Sequence, residues 1–96
     1  MLVLITYDVN TTTPEGKRRL RMVAKKCMAH GTRVQNSVFE CLLDNAQYKM
    51  LQHELEQIID MHYDSLRFYT LGNNYHNKVV HIGAKETRDM EGNLIL

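Results

Sequence analysis

The chain has 96 residues, enough for one hydrophobic core and too few for two. Apolar residues make up 44% and charged residues 24%, with one proline and five glycines, which excludes a disordered or proline-rich chain; the net charge of +1 on its own predicts no polyanion partner, but a balanced total can hide one strongly positive face. The two cysteines, Cys27 and Cys41, exclude a disulfide scaffold or zinc framework, and the longest apolar run, Met1 to Ile5, is too short for a bilayer span or signal peptide, so a soluble, cytoplasmic domain without a membrane partner is expected.

Met1 to Val9 is apolar and β-prone on both faces, the pattern of a central strand. Val3, Ile5 and Tyr7 point one way, and Leu2, Leu4 and Thr6 the other. Asn10 to Thr13 is a polar loop. Thr13, Pro14 and Glu15 give a helix start: a hydroxyl cap, a proline whose missing N–H costs nothing there, and an acid in the first turn. The first helix is predicted from Pro14 to Met28, with Leu20, Val23, Ala24 and Cys27 on one arc. Gly16 lies in that arc, where a missing side chain lets helix and sheet approach. Gly31 is expected to end the helix as a left-handed cap.

Thr32 to Leu43 is a second strand region, interrupted by a bulge or kink at Gln35-Asn36-Ser37. Asp44 opens a second helix with Gln47 as its capping-box partner, and the helix ends near Asp60. Ser65 to Leu71 is a third strand, with Leu66, Phe68 and Thr70 facing one way. Gly72-Asn73-Asn74 is a turn, and Lys78 to Gly83 a fourth strand built on Val79, Val80 and Ile82. Strands mixed with two helices are read as an α+β, ferredoxin-like βαββαβ domain: an antiparallel sheet with both helices on one face. Residues 1–83 form this domain. Residues 84–96, ending in Leu94-Ile95-Leu96, form a segment for dimer or partner contacts, whose short strand adds to a partner's sheet edge. The open sheet face needs a cover, and a second copy of the chain is the simplest one.

Three features carry possible chemistry. Asp8 ends an otherwise apolar strand. It either closes the strand as an Asx-turn assisted by Asn10, which the residues alone favour, or holds a hard divalent cation. One carboxylate per chain is thin, and two copies across a two-fold axis supply two. Second, Arg33, Gln35 and Ser37 recur at every second residue. On a regular strand they share one face, as a solvated surface or as donors to phosphate; Phe39 continues the alternation as core or interface. Third, Lys17, Arg18, Arg19, Arg21, Lys25 and Lys26 crowd one helix with no intervening acid. That is a solvated face or a surface for a nucleic-acid backbone. The cysteines read as inert core thiols.

Leu4-Ile5-Thr6-Tyr7-Asp8-Val9 and Gly31-Thr32-Arg33-Val34-Gln35-Asn36-Ser37-Val38-Phe39-Glu40 together resemble the CRISPR-associated protein two family, the small partner of the spacer-integrating nuclease, over nearly the whole chain. The resemblance implies a ferredoxin-like homodimer with sheets packed face to face. It implies that Asp8 from each copy meets its mate around a magnesium or manganese ion. It also implies a metal-dependent endonuclease of the adaptation module, acting on double-stranded DNA or on RNA and bound to the spacer integrase. Tyr7, Arg33, Ser37 and Phe39 match positions around the family's site, and Arg18 and Arg19 its basic helix. On this reading Arg33 and Ser37 position the phosphate while the Asp8 pair holds the metal, and no side chain is assigned as general base. The alternative is a non-catalytic dimeric scaffold that binds duplex DNA and bridges the integrase. A small-ligand regulatory module on the same fold is a third reading, resting on fold analogy.

Overall fold

A computed structural model describes residues 1–83 of the chain. Its elements are β1 (Leu2–Asp8), α1 (Pro14–His30), β2 (Gly31–Gln35), β3 (Val38–Leu42), α2 (Asn45–Ile58) and β4 (Ser65–Gly72). The four strands form one sheet in the order β2-β3-β1-β4, with every neighbouring pair antiparallel. This is the expected ferredoxin-like arrangement.

Local sequence explains most element ends. The Thr13 hydroxyl accepts a hydrogen bond from Gly16 N–H at 3.1 Å, and Pro14 opens α1. Asp44 and Gln47 form the reciprocal capping box, at 2.7 and 2.9 Å. The period-2 pattern of β1 puts Val3, Ile5 and Tyr7 into a core with Val23 and Cys27 of α1, Phe39 and Cys41 of β3, and Leu51 and Leu55 of α2. Both helices therefore cover the same side of the sheet. Leu66 and Phe68 pack on that core, Phe68 edge-on to Tyr48 with ring centroids 5.8 Å apart. Among the described residues no helix is long and apolar enough to cross a membrane.

The structure corrects several expectations. The triplet Gln35-Asn36-Ser37 does not merely kink one strand. Asn36 and Ser37 form a turn that reverses the chain, so Thr32–Leu43 contributes to two strands, β2 and β3. A bulge is present as well, at Val34: Arg33 pairs with Phe39, and Gln35 with Val38. Lys78–Gly83 forms no strand. A β-prone run needs a neighbour to receive its hydrogen bonds, and Val79, Val80 and His81 instead lie along the outer sheet face beside Leu4, Thr6 and Val38. Gly31 is not a left-handed cap, because its φ of −164° is ordinary extended backbone. It is glycine for space: a Cβ there would stand 2.3 Å from the Glu40 carbonyl oxygen and 2.5 Å from Cys41 Sγ. Gly16 serves the same end, but against the loop rather than the sheet; its Cβ would stand 1.9 Å from the Asn10 carbonyl oxygen. The segment 84–96, with Leu94-Ile95-Leu96, lies outside the described residues.

Candidate functional site

Asp8 is the last residue of β1 and pairs with Ser65, the first residue of β4. Strand alternation separates it from Tyr7 and puts it with Leu4 and Thr6 on the face away from the helices. Its side chain is exposed. It makes no hydrogen bond or ion pair among the described residues. The Asx-turn expected of Asp8 is made two residues later: Asn10 Oδ1 accepts from Thr12 N–H at 3.0 Å and from Thr12 Oγ1 at 2.7 Å. Asp8 is thus left with both oxygens open. That chemistry suits a hard cation that keeps several of its waters. The described residues hold no cluster of three or more His, Cys, Asp or Glu side chains.

The residues expected around Asp8 divide between the two faces. Tyr7 is buried on the helix side. Its hydroxyl donates to the Asn36 carbonyl at 3.2 Å and its N–H to the Ser37 carbonyl at 3.1 Å, which ties the β2–β3 turn to the end of β1. Burial pushes the Tyr7 phenol above its ordinary range, although the Arg33 charge pulls the other way. The Tyr7 and Phe39 rings lie 6.1 Å apart and nearly parallel, and the Arg33 guanidinium sits 5.2 Å from the Phe39 ring centre. Phe39 is core.

The expected common face of Arg33, Gln35 and Ser37 does not exist. The bulge at Val34 leaves Arg33 with Phe39 on the helix side. It turns Gln35 to the outer face, where a groove of about 370 Å³ is lined by Leu4, Val34, Gln35, Val38 and Glu40 among others. Ser37 sits in the turn beside Tyr7. Arg33 and Asp8 therefore stand on opposite faces of the sheet, with β3 between their strands.

The basic helix divides too. Arg19 turns inward. Its Nε donates to Asp64 Oδ2 at 2.7 Å and its Nη2 to Asp64 Oδ1 at 3.3 Å. The same carboxylate accepts from Asn10 N–H at 3.0 Å and Asp60 N–H at 2.9 Å. The Asp64 side chain is fully buried. Burial pushes its carboxyl up, but the donors from Arg19, Asp60 and Asn10 outweigh this and hold it below the usual carboxylate range. Sequence reading missed Asp64. Its only signal is an isolated acid directly before an alternating strand. Lys26 pairs with Glu54 of α2 at 3.0 Å on the surface. Lys17, Arg18, Arg21 and Lys25 stay exposed, with no ion pair among the described residues.

The two thiols are out of reach. Cys27 and Cys41 are fully buried, and burial pushes their thiols up to about 12 and about 11, so both stay protonated at neutral pH. Glu40 is a further acid on the outer face; it pairs with Leu4, and partial burial raises its carboxyl.

Comparison with known proteins agrees with this architecture. Residues 1–79 match the family model described as CRISPR associated protein Cas2. The chain is 59% identical over 96 residues to a protein of Chlorobaculum tepidum named CRISPR-associated endoribonuclease Cas2, covering all of both chains. It is also 59% identical over 95 residues to a protein of Halalkalibacterium halodurans named CRISPR-associated endonuclease Cas2, covering 99% of each. Among solved structures, Streptococcus pyogenes Cas2 at pH 6.5 superposes with a TM-score of 0.76 at 55% identity, over 86% of this chain and 100% of that one. With its two motifs, its strand order and a family match over most of its length, the chain belongs to the CRISPR-associated protein Cas2 family.

Proposed function

We propose that this chain is a metal-dependent endonuclease of the CRISPR adaptation module, hydrolysing phosphodiester bonds as a homodimer whose two Asp8 side chains hold one divalent cation. The observation that carries this reading is the state of Asp8: a carboxylate at a strand end, exposed, with no internal partner among the described residues. The names of the relatives, endoribonuclease in one and endonuclease in the other, support the nuclease class.

Two Asp8 carboxylates brought together repel each other, so the dimer gains from a cation between them and loses without one. Bound magnesium or manganese supplies Lewis acidity toward a phosphate oxygen and makes a nearby water more acidic. The chain's part is to fix the carboxylates. Register with β4 sets the height of Asp8. The Tyr7–Ser37 and Asn10–Asp64 hydrogen bonds hold the backbone on either side of it. Asp8→Asn keeps the shape and removes the charge. Cleavage of labelled duplex DNA and of RNA in magnesium should fall roughly 100- to 1000-fold, the scale of losing several kcal/mol of metal-borne stabilisation, while the melting temperature of metal-free protein stays the same or rises as the carboxylate repulsion is relieved. A variant that cuts both substrates at the wild-type rate ends the nuclease reading.

A second reading, a scaffold that holds duplex DNA for the spacer integrase, is favoured by a separate observation: Lys17, Arg18, Arg21 and Lys25 are exposed and uncompensated among the described residues. They lie on α1, across the sheet from Asp8, so each surface can be altered without touching the other. Reversing these four charges should weaken duplex binding and flatten its dependence on salt while Asp8 stays intact. Unchanged affinity and salt slope would count against the scaffold.

A further inference from the structure

Arg67 lies on the Asp8 side of the sheet. In β4, Leu66 and Phe68 pack on the core, which turns Ser65, Arg67 and Tyr69 to the outer face. Asp8 pairs with Ser65, and Thr6 with Arg67, so Arg67 is the diagonal neighbour of Asp8, at the usual spacing of about 7 Å between backbones. An arginine side chain spans that gap.

The two opposite charges are neighbours without being an ion pair; no Arg67–carboxylate contact occurs among the described residues. The hydrogen bond that Arg67 makes runs from its Nη1 to the Tyr69 hydroxyl at 3.2 Å, a neutral partner that leaves the guanidinium charge uncompensated and most of its donors open. Arg33, expected to position the phosphate with Ser37, is placed differently. It lies over the Phe39 ring on the other face.

We propose that Arg67 binds a phosphate of the nucleic acid at the Asp8 site, as the arginine among the described residues that shares the carboxylate's face and strand end. The inference rests on the nuclease reading of Asp8. Asp8 would hold the cation, and a guanidinium one diagonal step away would be within reach of the phosphodiester bound there. The guanidinium matches phosphate with paired N–H donors. A carboxylate of a second copy is the competing partner for Arg67, and the test separates the two.

Arg67→Ala, Arg67→Lys and Asp8→Asn are compared in the full-length protein. Affinity for a fluorescently labelled DNA duplex is read in EDTA across a salt series, cleavage kinetics in magnesium, and oligomeric state by sedimentation. Arg67→Ala should weaken metal-free binding about tenfold and lower the slope of log affinity against log salt by about one, the signature of one lost phosphate contact. Its kcat/KM should fall roughly 10- to 100-fold, with Arg67→Lys recovering part of the loss, since ammonium restores charge but not the paired geometry. Unchanged affinity and salt slope in Arg67→Ala overturn the proposal. So does a loss that tracks subunit dissociation and disappears at higher protein concentration, which assigns Arg67 to the partner's carboxylate. If Asp8→Asn still cuts while Arg67→Ala binds poorly, the nuclease reading fails and the phosphate contact stands. If Asp8→Asn is inactive and Arg67→Ala behaves as wild type, only the role of Arg67 falls.

Discussion

Asp8 and Asp64 stand at the same end of the sheet, one closing β1 and the other directly preceding β4. Asp64 is buried and accepts hydrogen bonds from Arg19, Asn10 and Asp60. Asp8 is exposed and accepts none among the described residues. A saturated carboxylate has no capacity left for an outside ligand and works as a structural clamp. An open one adds little to stability and remains free to bind. The two residues thus divide architecture from chemistry within a short span of backbone, and the clamp holds the loop that follows the open group.

The largest effect that tests this division is on stability. Asp64→Ala orphans the half-buried N–H groups of Asn10 and Asp60 and strands Arg19, so urea unfolding should show a loss of about 2–4 kcal/mol. Asp8→Ala in metal-free protein should cost less than about 0.5 kcal/mol, as for an ordinary surface substitution. Comparable losses in the two variants would erase the distinction. Magnesium sharpens it: the ion should raise the melting temperature of the wild type and leave that of Asp8→Asn in place.

Next comes acid. The Asp64 carboxyl is depressed in the folded state, so its contribution is complete above the unfolded value of about 4 and drains away as pH falls through the folded one. Wild-type stability should therefore decline below about pH 4, and Asp64→Asn should lack that part of the decline. Glu40 carries the opposite sign. Its carboxyl is raised by burial, so its charge opposes folding at neutral pH and the cost fades as the group protonates. Glu40→Gln should melt slightly higher than wild type at pH 7, and the gain should vanish below about pH 4. The smallest effect belongs to the exposed pair Lys26–Glu54, whose double-mutant coupling should stay under about 1 kcal/mol and shrink in salt.

Much of this molecule can be read from its residues, and the exceptions have physical causes. The alternation in β1 and β4 and the caps at Thr13 and Asp44 are local signals, so both strands and both helix starts are where the pattern puts them. The β2–β3 hairpin is not local. Gln35-Asn36-Ser37 is compatible with a bulge or a reversal, and only the pairing of Arg33 with Phe39 and Gln35 with Val38 decides. That single-residue bulge is also why three side chains at alternate positions fail to share a face. Val79, Val80 and Ile82 have strand propensity, but propensity does not supply a neighbouring edge. The inward turn of Arg19 was illegible because its partner is 45 residues away and looks like any other acid in the sequence. Asp8 could be picked out as an acid after an apolar strand; its freedom from hydrogen bonds could not.

The bulge at Val34 also governs how this sheet ends. Among the described residues β2 and β4 are its two margins. β2 is five residues long, and its irregular step carries Arg33, so it offers an approaching chain a broken row of donors and acceptors. β4 keeps regular pairing from Ser65 to Thr70. The domain is thus asymmetric toward growth: one margin resists another ribbon of polypeptide, and the other is a template for it. Of these two margins, β4 is the one at which extension of the sheet meets less resistance.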